Sequence, residues 1–344
     1  MVPFEVISFF KLREVKCPYI WSVKPWLLCT LLFFSFPVFS QAPAPVSQKD
    51  TLPHLPAVPH KNYTSPARKW LAGGATAASY GGSFLFLSQA WYKDYPKTGL
   101  HSFNDAGEWQ QVDKVGHAWT AYHTSRLTSD LWRWAGVSDK AAMWLGTGSS
   151  MLYMLSIEYL DGRSYKWGWS WADVGANFTG AALYVGQQAA WKEQRIGLKF
   201  SSSLKTYGQD DLENRADDLF GSSFQGRLLK DYNAQTYWFS ANLKAFLPQS
   251  SLPDWLNVAV GYGAENMFGG YENIATTDDG TLTFDRRDLK RYRQWYLAPD
   301  VDFTKINTKS KTLRAVFSAL NVLKFPAPAL ELSNGRLRLR GLVY

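Results

Sequence analysis

The chain reads as an α+β protein, with an N-terminal bundle of about four apolar helices followed by a strand-rich C-terminal region. Three observations predict this order. Between residues 68 and 193, long segments carry apolar and small residues at helical spacing, with little charge except near their ends. After Arg195 the period drops to two, as Ile196, Leu198 and Phe200 alternate with Gly197 and Lys199. Near the end, residues 330–333 and 336–342 flank Asn334-Gly335, a dipeptide suited to a two-residue hairpin turn.

At 344 residues the chain can form one large domain or two ordinary ones. Its formal charge of +8 is spread thinly, and no long block of like charge supports nucleic-acid binding. Aromatic residues make up 16% of the chain. So many half-polar rings suit either a membrane interface or a large aromatic core.

Lys11, Arg13, Lys16 and Lys24 precede an apolar run over 26–39, and Val38-Phe39-Ser40 suits a signal peptidase. Residues 1–40 are therefore expected to be a secretory signal peptide. Cys17 and Cys29 both fall inside it, which leaves no thiol in the exported chain. The bulky Leu28 before Cys29 does not suit lipoprotein processing, so no lipid anchor is expected. Residues 41–67, punctuated by proline, read as an extended linker.

The helical region is expected over 68–193. Residues 70–92 carry no charge, are rich in Gly and Ala, and are long enough to cross a bilayer, so the bundle is either membrane-embedded or packed as a buried core. Residues 112–136 predict an amphipathic helix with Asp113, His117, Thr120 and Thr124 on one face. His123, six residues beyond His117, lies well around that helix. Ser138 is the expected N-cap of a third helix, uncharged from 141 until Glu158. Glu158 and Asp161 then sit against the helix dipole and need another reason to be there. Ser170-Trp171-Ala172-Asp173 fits a capping box opening a fourth helix, on which Asp173, Asn177, Gly180 and Tyr184 share a face. Closing that helix is the plainest role for Asp173.

The region 194–344 is expected to be mixed and strand-rich. Residues 209–218 read as an acidic turn, and strands are expected within 235–246, 255–262, 280–284 and 294–303. Residues 311–323 predict a short amphipathic helix with Leu313, Val316, Phe317 and Leu320 on one side. Arg336, Arg338 and Arg340 share strand parity with Tyr344, which argues against a lipid-facing barrel strand.

Asp113-Lys114-x-x-His117, Glu158-x-x-Asp161 and Gly168-Trp169-Ser170-Trp171-x-Asp173-x-x-x-Asn177-x-x-Gly180 together resemble the YfiM-type family. The resemblance covers about 113–190. The family's members are predicted periplasmic or outer-membrane-associated lipoproteins whose domain has no assigned function, so the resemblance implies a protein of that setting. A more distant likeness joins the Asp-Lys-x-x-His opening to VanZ-like membrane proteins. This chain departs from the family in lacking a lipobox and in placing Ile157 where a lysine often precedes the glutamate.

Asp113, Lys114, His117, Glu158, Asp161, Asp173 and Asn177 form the candidate cluster. The leading reading is an exported, membrane-associated envelope protein, structural or binding rather than enzymatic, in which these groups form a buried network joining helices. Its expected partners are the membrane or other envelope proteins, with no nucleic acid. The alternative is a metal-dependent hydrolase or transferase acting on an envelope lipid or lipid phosphate, with a divalent ion held by Asp113, His117, Glu158 and Asp161. Beyond that ion no cofactor is expected. A transport component ranks last, since few spans are evident. No HExxH and no nucleophile elbow point to a known hydrolase class.

Overall fold

A computed structural model describes residues 65–92, 95–277 and 279–343. The expected signal peptide and nearly all of the expected linker lie outside them. Helix α1 (Pro66–Leu87) opens with proline in its first turn and runs into a π-helical turn, Ser88–Tyr92. Helices α2 (Val112–Trp134), α3 (Asp139–Asp161) and α4 (Trp171–Trp191) follow. Ser170 caps α4 as its sequence predicts, accepting from the Asp173 amide at 3.0 Å. Ser138 precedes α3 but makes no side-chain cap bond.

Helix α2 is the axis of the bundle and packs on both α3 and α4. Small residues set the spacing. A Cβ on Gly180 would lie 1.9 Å from the Ala118 carbonyl oxygen, and one on Gly146 would lie 2.4 Å from the Ser129 amide nitrogen. Buried hydroxyls bond within this close interface, as where Thr124 meets Ser150 at 2.5 Å. Among the described residues no helix is long and apolar enough to cross a membrane, so of the two readings of 70–92 the membrane-spanning one gains no support. Polar groups dilute α1 and tie it to its neighbours: Tyr80 meets Thr128 of α2 at 2.7 Å, and Ser83 donates to Tyr153 of α3 at 2.9 Å.

The expected acidic turn over 209–218 is instead helix α5 (Asp210–Phe220). Asp210, Asp211 and Glu213 in its first turn favour the dipole, while Leu212, Ala216 and Phe220, four apart, bury one stripe. A short helix α6 (Phe224–Lys230) and a one-turn helix α7 (Leu243–Phe246) flank strand β2 (Gln235–Asn242).

The remaining strands are β1 (Ile196–Ser202), β3 (Leu256–Glu265), β4 (Ile274–Thr276), β5 (Leu282–Asp285), β6 (Tyr292–Val301), β7 (Ala327–Ser333) and β8 (Arg336–Val343), with α8 (Lys311–Leu320) between β6 and β7. Strands β4 and β5 pair separately. The others form one antiparallel sheet in the order β1-β2-β3-β6-β7-β8. Asn334 and Gly335, both at positive φ, turn the last hairpin as expected.

Register sorts this sheet into two chemically distinct faces. One continuous cross-strand row is apolar: Leu198, Phe239, Val260, Leu297, Leu330 and Leu339. A row on the opposite face runs Lys199, Trp238, Gly261, Tyr296, Glu331 and Arg338. That polar face is the enclosed one, because the sheet curls. Ser203 and Lys205 beyond β1 and Arg340 and Val343 on β8 line a common cavity of about 240 Å³. Away from that cavity but on the same face, Asp300 takes Lys199 at 2.8 Å, Lys324 at 3.6 Å and the Ser240 hydroxyl at 2.6 Å. Lys199, on this enclosed face, is only 1% exposed.

The bundle covers part of the apolar face. Val112 and Trp119 pack with Phe200, Tyr237 and Tyr262, and His123 Nε2 donates to the Leu198 carbonyl at 2.6 Å. Farther along the same face the side chains are exposed. The parity argument from the arginines also needs correction. Ala329 pairs with Arg340 but Ala327 pairs with Val343, so an extra residue in β8 breaks the alternation before the terminus.

The close approach at Gly180 gives a test. Gly180→Ala should destabilise the protein by about 1–3 kcal/mol, because helix backbone must move. Gly148→Ala, with nothing within 4 Å of its Cβ, should stabilise by about 0.5–1 kcal/mol through helix propensity. Chemical denaturation of the two variants measures both, and equal effects would refute the packing account.

Candidate functional site

Three consecutive residues ahead of α2, Trp109, Gln110 and Gln111, adopt positive φ of 49°, 51° and 64°. Such left-handed backbone costs non-glycine residues roughly 1 kcal/mol or more each, so surrounding contacts must hold it. The Trp109 amide donates to the Gly270 carbonyl at 2.8 Å, Tyr262 donates to the Gln110 carbonyl, and Arg293 holds Gln111. The turn brings Asp105 back over the start of α2.

There Lys114 is buried and collects three carboxylates. Its ammonium lies 2.6 Å from Asp105, 2.9 Å from Asp113 and 2.8 Å from Asp173. Burial alone lowers a lysine pKa, but Asp113 and Asp173 outweigh it and raise Lys114 above its ordinary value. Burial pushes Asp113 up to about 6 even against the Lys114 charge. Burial also opposes ionisation of Asp173, yet the charges of His117 and Lys114 hold it below the usual carboxylate range.

One turn along α2, the His117 ring stands between α3 and α4. Its Nδ1 lies 3.4 Å from Glu158 Oε1 and 3.2 Å from Asn177 Oδ1, and its Nε2 lies 3.8 Å from Asp173 Oδ1. Burial lowers the imidazole pKa, but Asp173 and Glu158 overcome this and raise it. Glu158 is 0% exposed, and neither of its carboxylate oxygens has a hydrogen-bond partner among the described residues. Burial drives its pKa up to about 8, with His117 pulling the other way.

One ligand atom each from His117, Glu158 and Asp173 lie within 4.8 Å of one another, as do those of Asp105, Asp113 and Asp173. The second trio already surrounds the Lys114 ammonium. The first presents an imidazole and two carboxylates, a donor set suited to Zn, Mn or Fe.

The expected metal set of Asp113, His117, Glu158 and Asp161 is thus not gathered as a unit. Asp113 faces Lys114, and Asp161 accepts from Tyr92 at 2.7 Å while burial raises it to about 7. Asp173, whose amide does donate to the expected N-cap Ser170, turns its carboxylate to Lys114 and His117. Asp105 and Tyr92 escaped the sequence reading, since helical spacing says nothing of residues outside a regular helix. Glu108, raised to about 7 by burial and by Asp105, escaped it too. His123 lies apart, with its pKa lowered to about 3 by burial.

Residues 102–187, about a quarter of the chain, match the model of a family described as predicted periplasmic lipoprotein (DUF2279). No curated protein and no solved structure matches. The family description agrees with the expected location: the protein is an exported protein of the cell envelope.

The cluster carries a pH signature. Glu158, Asp161 and Asp113 hold their protons at higher pH folded than unfolded, where carboxyls titrate near 4. Between about pH 4 and pH 8 these three carboxyls bind fewer protons in the unfolded chain, so their combined contribution to stability falls as pH rises. It outweighs the smaller opposing contribution of His123, whose lowered pKa acts only below about pH 6.5. The raised His117 acts in the same direction, its contribution lost as pH rises through its folded pKa. Asp173, shifted down, contributes above about pH 4 and loses that contribution only in stronger acid. Chelator-treated protein should therefore melt several degrees higher near pH 5.5 than near pH 8, and Glu158→Gln should flatten the difference. A melting temperature that rises over this interval would contradict the assignment.

Proposed function

We propose that the helical bundle of this envelope protein binds one divalent transition-metal ion through His117, Glu158 and Asp173. The adjoining Lys114 network then sets helix register. The observation that carries this reading is Glu158, a fully buried carboxylate with both oxygens unpartnered and an imidazole 3.4 Å away. A purely structural network would be expected to satisfy such a group.

Charge balance supports the same conclusion. Four carboxylates, Asp105, Asp113, Asp173 and Glu158, face one ammonium and one imidazole. Only added protons or an added cation neutralise that excess, and a metal ion would displace the proton that burial keeps on Glu158. The YfiM-type resemblance supports the envelope setting without adding chemistry.

A hydrolytic or transfer reaction on an envelope lipid or its phosphate is the second reading. It rests on His117, whose side chain is 23% exposed and so gives water a route to the ion.

Equilibrium dialysis of the chelator-treated protein against Zn²⁺ or Mn²⁺, read by elemental analysis, should show one bound equivalent. His117→Ala and Glu158→Gln should weaken binding by at least about tenfold. Asp161→Asn, whose carboxylate belongs to Tyr92, should bind nearly as well as wild type. Folded wild-type protein that takes up no ion would sink the proposal.

A further inference from the structure

The sheet is inverted relative to one that faces water. Its charged side chains Lys199, Asp300 and Glu331 are buried, while the opposite face is apolar. The bundle covers that apolar face only over β1 and neighbouring parts of β2 and β3. Beyond this cover Trp295 is 48% exposed, Leu332 48% and Leu339 75%, with Leu297, Leu330 and Leu337 beside them. The cross-strand pairs Leu297–Leu330, Leu330–Leu339, Trp295–Leu332 and Leu332–Leu337 make these one continuous patch. Large contiguous apolar patches on soluble monomers are rare and mark sites of association.

The charges near the patch indicate what covers it. Residues 305–320 include Lys305, Lys309, Lys311 and Arg314 and no acidic residue, whereas Lys324 is buried against Asp300 and Arg336, Arg338 and Arg340 lie on the opposite face of the sheet. Helix α8, which connects two of the patch strands, exposes an apolar stripe of Leu313, Val316 and Leu320 between its basic residues. An amphipathic helix with cations on its polar side is suited to an anionic lipid interface. Two copies that brought this basic α8 segment together would repel one another across a face-to-face dimer.

We infer that the bare apolar face of β6, β7 and β8, together with α8, docks on an anionic lipid surface of the envelope. Burying leucine and tryptophan drives the contact, and Lys309, Lys311 and Arg314 at α8 select negatively charged headgroups. This surface is separate from the proposed metal site and does not depend on it.

Vesicle flotation of the full chain tests the inference. Wild type should float with phosphatidylethanolamine–phosphatidylglycerol vesicles and at least tenfold less with phosphatidylcholine vesicles. Leu297→Glu/Leu332→Glu/Leu339→Glu should cut flotation more than tenfold. These side chains already face outward, and an unchanged circular dichroism melt would exclude misfolding. Lys309→Glu/Arg314→Glu, which leaves the apolar patch intact, should lose the preference for anionic vesicles. Wild type that stays with the unbound fraction, or a triple variant that floats like wild type, would overturn the assignment. So would a wild-type dimer in light scattering that the triple variant disperses without any vesicle binding, since that would make the occupant a second copy.

Discussion

A lysine ammonium with little access to water must be answered by negative charge close at hand, and Lys114 imposes that demand on the whole N-terminal half. Its three carboxylates come from different places: Asp105 from the loop ahead of α2, Asp113 from α2 itself, Asp173 from the first turn of α4. Meeting all three requires the left-handed turn at Trp109–Gln111, the N-cap at Ser170 and the close approach at Gly180. The turn in turn depends on Gly270, Tyr262 and Arg293, all from the strand-rich region. The two halves of the chain are therefore joined through the geometry around one cation.

The same economy explains why Glu158 stands out. Asp105, Asp113 and Asp173 each have the Lys114 ammonium within hydrogen-bonding distance. Glu158 has only the flank of His117, at a distance too long for a strong charged hydrogen bond. Protonation is one solution for such a group, and coordination is another. The two solutions compete for the same oxygens.

Much of this was legible in the sequence, and the gaps have physical causes. The spacing of Asp113 and His117 placed them on one helix face, and the Ser170–Asp173 cap followed from local chemistry. Glu158 and Asp161, three apart, nevertheless took different partners, because a small rotation around α3 is enough to aim one at α2 and the other at Tyr92. Asp105 had no periodicity to reveal it. The helix at Asp210–Phe220 was masked by its acidic composition, which resembles a turn until the four-residue spacing of Leu212, Ala216 and Phe220 is followed. In the sheet, alternation identified the strands but not which face was enclosed. That depends on curvature, and a period of two does not encode curvature. The arginine parity near the terminus misled for a simpler reason, a single extra residue in β8.

The two histidines of α2 divide the effects of acidity between them. His117 sits among groups whose protons are in play near neutrality. His123, two turns farther along one helix, is buried neutral with its Nε2 proton committed to the Leu198 carbonyl of β1. Over the range in which the cluster exchanges protons, this weld between bundle and sheet carries no charge and does not change. Acidification can thus rewrite the chemistry at one end of α2 while the seam at its middle stays insulated from it.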